Sequence, residues 1–175
     1  LGYHRDHEST AVVTPEERVV RGFLRRLENI ASRSTVDKMF SDGPDGFVDR
    51  QESLFELQMK LQKTIGEVKQ RRSKDPDVRE HLETLRHLRW RSRQLGDAIA
   101  WNGLLHNRQV IESLAGNDAV PIPPRWTNGH RGTFQFARSM TGPEWGVPVV
   151  HDITNALRIG DVTFMNPALE PSESV

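Results

Sequence analysis

The run Val149-Val150-His151-Asp152-Ile153-Thr154-Asn155-Ala156-Leu157-Arg158-Ile159-Gly160-Asp161-Val162-Thr163-Phe164 sets two aspartates, a histidine and an arginine among apolar residues. Apolar segments avoid charge, because an unpaired buried carboxylate is costly or shifts its pKa until it is neutral. A metal ion or a buried ion pair would each give these residues a reason to be there. Gly160-Asp161 stands at the start of the β-rich Val162–Met165, so the Asp161 carboxylate is placed to face a cleft. Metal-dependent cleavage of phosphodiesters uses hard oxygen ligands of this kind, since Mg²⁺ prefers carboxylates and water. The competing structural reading makes Asp161 a turn residue paired with Arg158.

The same residues carry a resemblance. His151, Asp152, Thr154, Asn155, Leu157, Arg158, Gly160 and Asp161 resemble the front half of a PD-(D/E)XK nuclease core. Bacterial proteins of uncertain function show a similar run after a helical region. The resemblance implies that Asp161 is a Mg²⁺ ligand and that Arg158 and His151 orient the ion or the phosphate. It also implies a later Glu-x-Lys strand. None follows Asp161 here: Glu170 and Glu173 are followed two residues on by Ser172 and Val175. This stretch is therefore expected to be inactive in cleavage by itself.

Two other regions suit nucleic acid. From Lys69 to Arg93 nine cations face only Asp75, Asp77, Glu80 and Glu83, and Arg86, Arg89 and Arg93 recur at helical spacing. Such a row can track a phosphate backbone or be a solvated helix face. Residues 119–143 are free of acids yet hold Arg125, Trp126, His130, Arg131, Phe134, Phe136 and Arg138. Aromatics among arginines stack on bases and grip phosphates, or they anchor a loop to a core. DNA or RNA is thus a partner to test, through Arg86, Arg89, Arg93, Arg125, Trp126 and Arg131. Asp97 or Glu112 would serve as a helix-borne ligand to a nuclease site. Ser41 to Glu52 imitates a calcium loop, but Ser41 and Gly43 replace carboxylate ligands, and Asp49 with Glu52 reads as a helix capping box.

These residues need elements to hold them. Residues 1–13 read as a tail. Thr14-Pro15-Glu16-Glu17 starts a helix, with Thr14 as N-cap and Glu17 completing a capping box, and the apolar face Val20, Phe23, Leu24, Leu27, Ile30 carries it to about Ser34. A second helix is expected from Asp49, with the seam Leu54, Leu57, Leu61, Ile65 and Val68. On a non-enzymatic reading, that seam packs against a second copy or a partner helix. Asp75-Pro76 opens a long third helix, which Gly96 and Gly103 are placed to bend or divide; a fourth spans Arg108 to Ala115. The predicted organisation is a helical bundle over 14–116, a Pro/Gly-rich linker or ordered loop over 117–145, and an incomplete α/β module over 146–175. The fold class is α+β, mainly a helical bundle followed by a small β-containing module.

Lysine plus arginine and aspartate plus glutamate number 24 each, so a nucleic acid or membrane would have to be met by a local patch. The absence of cysteine excludes disulfides and thiolate metal sites and fits a cytoplasmic setting. No apolar run approaches the ~20 residues of a membrane-spanning helix. The polar start, without an initiator Met, reads as that of a fragment or trimmed product.

Overall fold

A computed structural model of the chain describes residues 13–35, 38, 41–71, 76–115, 128–142, 144–157 and 160–165. The fold is α+β and mainly helical. Helix α1 spans Pro15–Arg33 and opens on the expected capping box. The Thr14 hydroxyl accepts from the Glu17 amide at 3.1 Å, and the Glu17 carboxylate accepts from the Thr14 amide at 2.8 Å. Leu27 and Ile30 bury its inner face.

Helix α2 spans Gly43–Gln70, starting six residues before the expected Asp49. Gly43 takes a positive φ of 71° and Pro44 supplies the preset φ of a first helical turn. Asp49 therefore lies inside the helix and caps nothing, and the calcium-loop imitation is helical from Gly43 onward. Asp42 instead receives the Arg50 guanidinium at 2.6 Å.

The seam of Leu54, Leu57, Leu61, Ile65 and Val68 is buried within the chain, each residue at most 5% exposed. It packs with helix α3, Pro76–Gly103, which contributes Leu85, Leu88, Ile99 and Ala100. An outside helix therefore has no seam left to fill. Helix α3 is not divided at Gly96; both of its late glycines instead admit close neighbours, described below. Leu105 and His106 reverse the chain at φ 51° and 57°, and Asn107 caps helix α4, Arg108–Ala115, accepting from the Val110 amide at 3.1 Å.

The expected 117–145 linker contains a further helix, α5, spanning Asn128–Ser139. Phe134 and Ala137 bury one side of it, and Arg138 ties it to Asp49 and Glu52 of α2. Strands β1 (Val147–Val150) and β2 (Val162–Met165) then pair antiparallel, with Val149 opposite Thr163 and Val150 opposite Val162. A 3-10 turn, His151–Ile153, follows β1.

Helices pack on the β1 side of the hairpin. Gly103 of α3 leaves room for Val149, whose Cγ2 would stand 2.7 Å from a Cβ at that position. Phe136 of α5 meets Phe164 edge-on, with centroids 5.9 Å apart. Gln51 of α2 closes the outer edge of β1: its amide donates to the Pro148 carbonyl at 2.8 Å and accepts from the Val150 amide at 2.8 Å. A glutamine side chain thus stands in for a neighbouring strand, and Pro148 is tolerated because its nitrogen faces a side where no N–H is required. Phe134, Ala137, Val149, Val150, Ile153 and Leu157 join the same hydrophobic core as the helices. The C-terminal elements are built onto the bundle, not onto a core of their own.

Candidate functional site at the 151–161 loop

The loop after β1 is docked on α3 by polar groups. Arg93, 5% exposed, donates from Nη1 to the Asp152 carbonyl at 2.6 Å and from Nε to the Asn155 side-chain oxygen at 3.1 Å. Asp97, one turn on, accepts from the amides of Asn155 (2.6 Å) and Ala156 (3.0 Å) and from the Asn155 side chain at 3.2 Å. Gln58 reaches across from α2 and donates to the Ile153 carbonyl at 3.0 Å and the Ser92 carbonyl at 3.1 Å. Thr154 closes the turn, accepting from the Leu157 amide at 2.9 Å and donating to the His151 carbonyl at 3.0 Å. Burial pulls the Arg93 guanidinium below its ordinary pKa, against the opposing pull of Asp97 and Asp152.

Much of the polarity that marks this run in the sequence is thereby spent on structure. His151 is 3% exposed and its Nε2 lies 2.8 Å from the Thr163 hydroxyl, its diagonal neighbour across the hairpin. His151, expected to orient an ion or phosphate, is thus held inside beside Thr163. Asp97, a candidate helix-borne ligand in the sequence, accepts from the Asn155 and Ala156 amides and the Asn155 side chain.

Two carboxylates remain at the mouth of the loop. Asp152 is half-buried, with His130 Nε2 of α5 at 3.4 Å from its carboxylate. His130 in turn lies against the Phe55 ring, with centroids 4.9 Å apart. Burial raises the Asp152 pKa above the ordinary carboxylate value; the His130 charge opposes this, and the negative charge of Asp161 adds to it. Asp161 itself is exposed, one residue before β2, and its main-chain carbonyl accepts from the His151 amide at 3.0 Å. Among the described residues, no side chain bonds or pairs with the Asp161 carboxylate. Also among them, no group of three histidine, aspartate or glutamate side chains converges to hold a metal ion.

The other sequence-derived residues are scattered. Arg158, Arg125 and Trp126 lie outside the described residues. Arg86 is exposed on α3, and Arg89 is half-buried, donating to the Gln62 side chain at 2.9 Å. Arg93 is interior, so the three do not form one phosphate-facing row. Arg131 is exposed on α5. Sequence reasoning missed Gln51 and Gln58 as docking groups and His130 as the partner of Asp152. It also passed over Trp90, which is 57% exposed on α3. Among the described residues, no helix is long and apolar enough to cross a membrane.

No family model, no curated protein and no solved structure matches the chain.

Proposed function

We propose that this chain is the helical and first-hairpin portion of a bacterial nuclease-like protein, a metal-dependent phosphodiesterase, in which Asp161 binds Mg²⁺. The observation that supports the reading best is the Asp161 carboxylate, exposed at the start of β2 and close enough to Asp152 to raise its pKa. Two carboxylates sharing one neighbourhood repel, and a divalent cation relieves that repulsion. The donor set fits a hard cation in chemistry: Asp161 and Asp152 would supply oxygens, and water would complete the shell. Such an ion would supply charge stabilisation to a phosphodiester. The chain's own part is to fix the carboxylates, through Arg93 and Asp97 holding the loop and His130 holding Asp152.

The hairpin edge agrees with this reading. Pro148 and Val150 turn their main-chain groups to Gln51, so the outward groups of β2 are those of Val162 and Phe164. Among the described residues nothing bonds them. A further strand, of the kind the resemblance implies, would pair there. The alternative of a non-enzymatic oligomerisation module through Leu54, Leu57, Leu61, Ile65 and Val68 loses its basis, because that seam is filled internally.

Paramagnetic Mn²⁺ titration followed by amide NMR tests the metal site. Broadening centred on residues 152 and 160–163, abolished by Asp161→Asn, is expected. Broadening elsewhere, or unchanged in that variant, would sink the reading.

A further inference from the structure

Trp90 is the most exposed of the large apolar side chains on the described surface. Helix α3 already buries its opposite face through Leu85, Leu88 and Ile99, so packing gives no reason for an indole on the solvent side. The ring is not isolated. His87, one turn earlier, stacks on it with centroids 5.7 Å apart and planes inclined by 25°, making a two-ring ledge. Arg86 and Arg91 are both exposed beside it: Arg86 is four residues before Trp90, and Arg91 four after His87. These spacings put each guanidinium on the same helical surface as a ring.

From Thr84 to Gly96 the helix carries charge of one sign. No aspartate or glutamate occurs from Thr84 to Gly96, while Arg86, Arg89, Arg91 and Arg93 do. Arg89 and Arg93 are committed to Gln62 and the 151–155 loop. Arg86 and Arg91 have no ion-pair partner among the described residues. Glu83, a turn before Arg86, is the nearest acid along the helix.

We propose that the outward face of α3, from Arg86 to Gln94, is a stacking platform for single-stranded nucleic acid. Trp90, backed by the stacked His87 ring, takes a base on its open face, and Arg86 and Arg91 take the flanking phosphates. Every base has a π-face, so such a ledge is tolerant of sequence, whereas a duplex keeps its bases stacked on one another and offers the ledge only phosphates. The proposal rests on the reading that the protein handles nucleic acid, and not on a metal at Asp161.

Fluorescence anisotropy with labelled twelve-residue oligothymidylate, in EDTA at two salt concentrations, separates the two. All four variants below sit at exposed positions, and far-UV circular dichroism checks that each is folded. Trp90→Ala should weaken single-strand binding roughly ten-fold or more, with Trp90→Phe recovering part of the loss. A duplex of equal length should lose less than two-fold, or about 0.4 kcal/mol. Arg86→Gln and Arg91→Gln should each flatten the salt dependence by ~0.7 in log–log slope. Binding in EDTA with no Mn²⁺ effect at Asp161 would support the platform while removing the metal. No binding at low salt, equal binding by Trp90→Ala, or equal losses for duplex and single strand would overturn the platform. So would Trp90-dependent self-association in sedimentation without oligonucleotide binding, which marks a protein contact.

Discussion

The carbonyl group of Ile153 occupies the space where a side chain at Gly96 would begin. A Cβ built at position 96 would meet the Ile153 carbonyl oxygen well inside contact distance and its carbon at 2.7 Å. The loop can sit this close to α3 only because residue 96 has no side chain, and Gln58 then bonds the same carbonyl from the other side. Gly96→Ala should destabilise by about 3 kcal/mol, the upper part of the usual range for overpacking. Gly22, on exposed α1 with nothing within 4 Å of its would-be Cβ, provides the contrast. Gly22→Ala should stabilise by ~0.5–1 kcal/mol, because it reduces backbone freedom in a helix without a clash. Chemical denaturation of both variants checks the pair.

Arg93 and Asp97 hold the loop as a unit. Arg93→Met keeps much of the side-chain volume but leaves the half-buried Asp152 carbonyl and the buried Gln58 oxygen short of a donor. The expected loss is about 2–3 kcal/mol. Asp97→Ala frees the Asn155 and Ala156 amides, which are half-buried and within reach of water, so about 1–2 kcal/mol is expected. Since both act on Asn155, the double variant should lose less than the sum, by at least ~0.5 kcal/mol. Strict additivity in urea melts would show that the two side chains act independently.

The contrast between local and distant partners explains what the sequence made legible. The Thr14–Glu17 box, the proline at 76, the leucine seam and the β-rich Val162–Met165 all express themselves over a few residues, and all appear where expected. Helix α2 began early because Gly43-Pro44 reads as a break in composition yet supplies a good first turn. Helix α5 was hidden by Gly129 and Gly132 and by the prolines before it, although Phe134 and Ala137 keep a helical spacing. Gln51, Gln58 and Arg93 could not be assigned, because their partners lie 97, 95 and 59 residues away. A buried glutamine that completes a strand edge looks, in sequence, like any polar helix residue. The charged run was rightly conspicuous, but its polarity records a docked loop as well as two exposed or half-buried acids.

Asp152 makes stability depend on pH in a defined direction. Burial, the largest influence, raises its folded pKa above the ordinary 3.8, and Asp161 raises it further against the lowering by His130, Arg93 and His151. Between the unfolded and folded values the native state binds more protons than the unfolded state, so stability falls as pH rises through that window. The contribution is fully present below the unfolded value and lost above the folded one. Asp161→Asn should lower the Asp152 pKa, and His130→Gln should raise it. Carboxyl ¹³C shifts followed against pH measure both; movement in the same direction would contradict the assigned charges.

Helix α5 is held by an aromatic residue more than by its ion pairs. Phe134 is 1% exposed and its ring lies 5.6 Å from that of Phe55, so Phe134→Ala opens a cavity inside the shared core. The expected cost is about 3–5 kcal/mol. Arg138 bonds both Asp49 and Glu52, but about a third of its side chain meets solvent, where screening and side-chain entropy offset the attraction. Arg138→Ala should therefore cost no more than ~1 kcal/mol at physiological salt, and less at high salt. Because α5 also carries His130, loosening it by Phe134→Ala should change both the burial of Asp152 and the opposing His130 influence and so shift the Asp152 pKa, whereas Arg138→Ala should leave that pKa nearly unchanged. Hydrogen exchange of the 130–139 amides, read alongside the Asp152 titration, checks the ordering. A larger loss from Arg138→Ala would mean that the two carboxylates of α2, and not the aromatic contact, seat the helix.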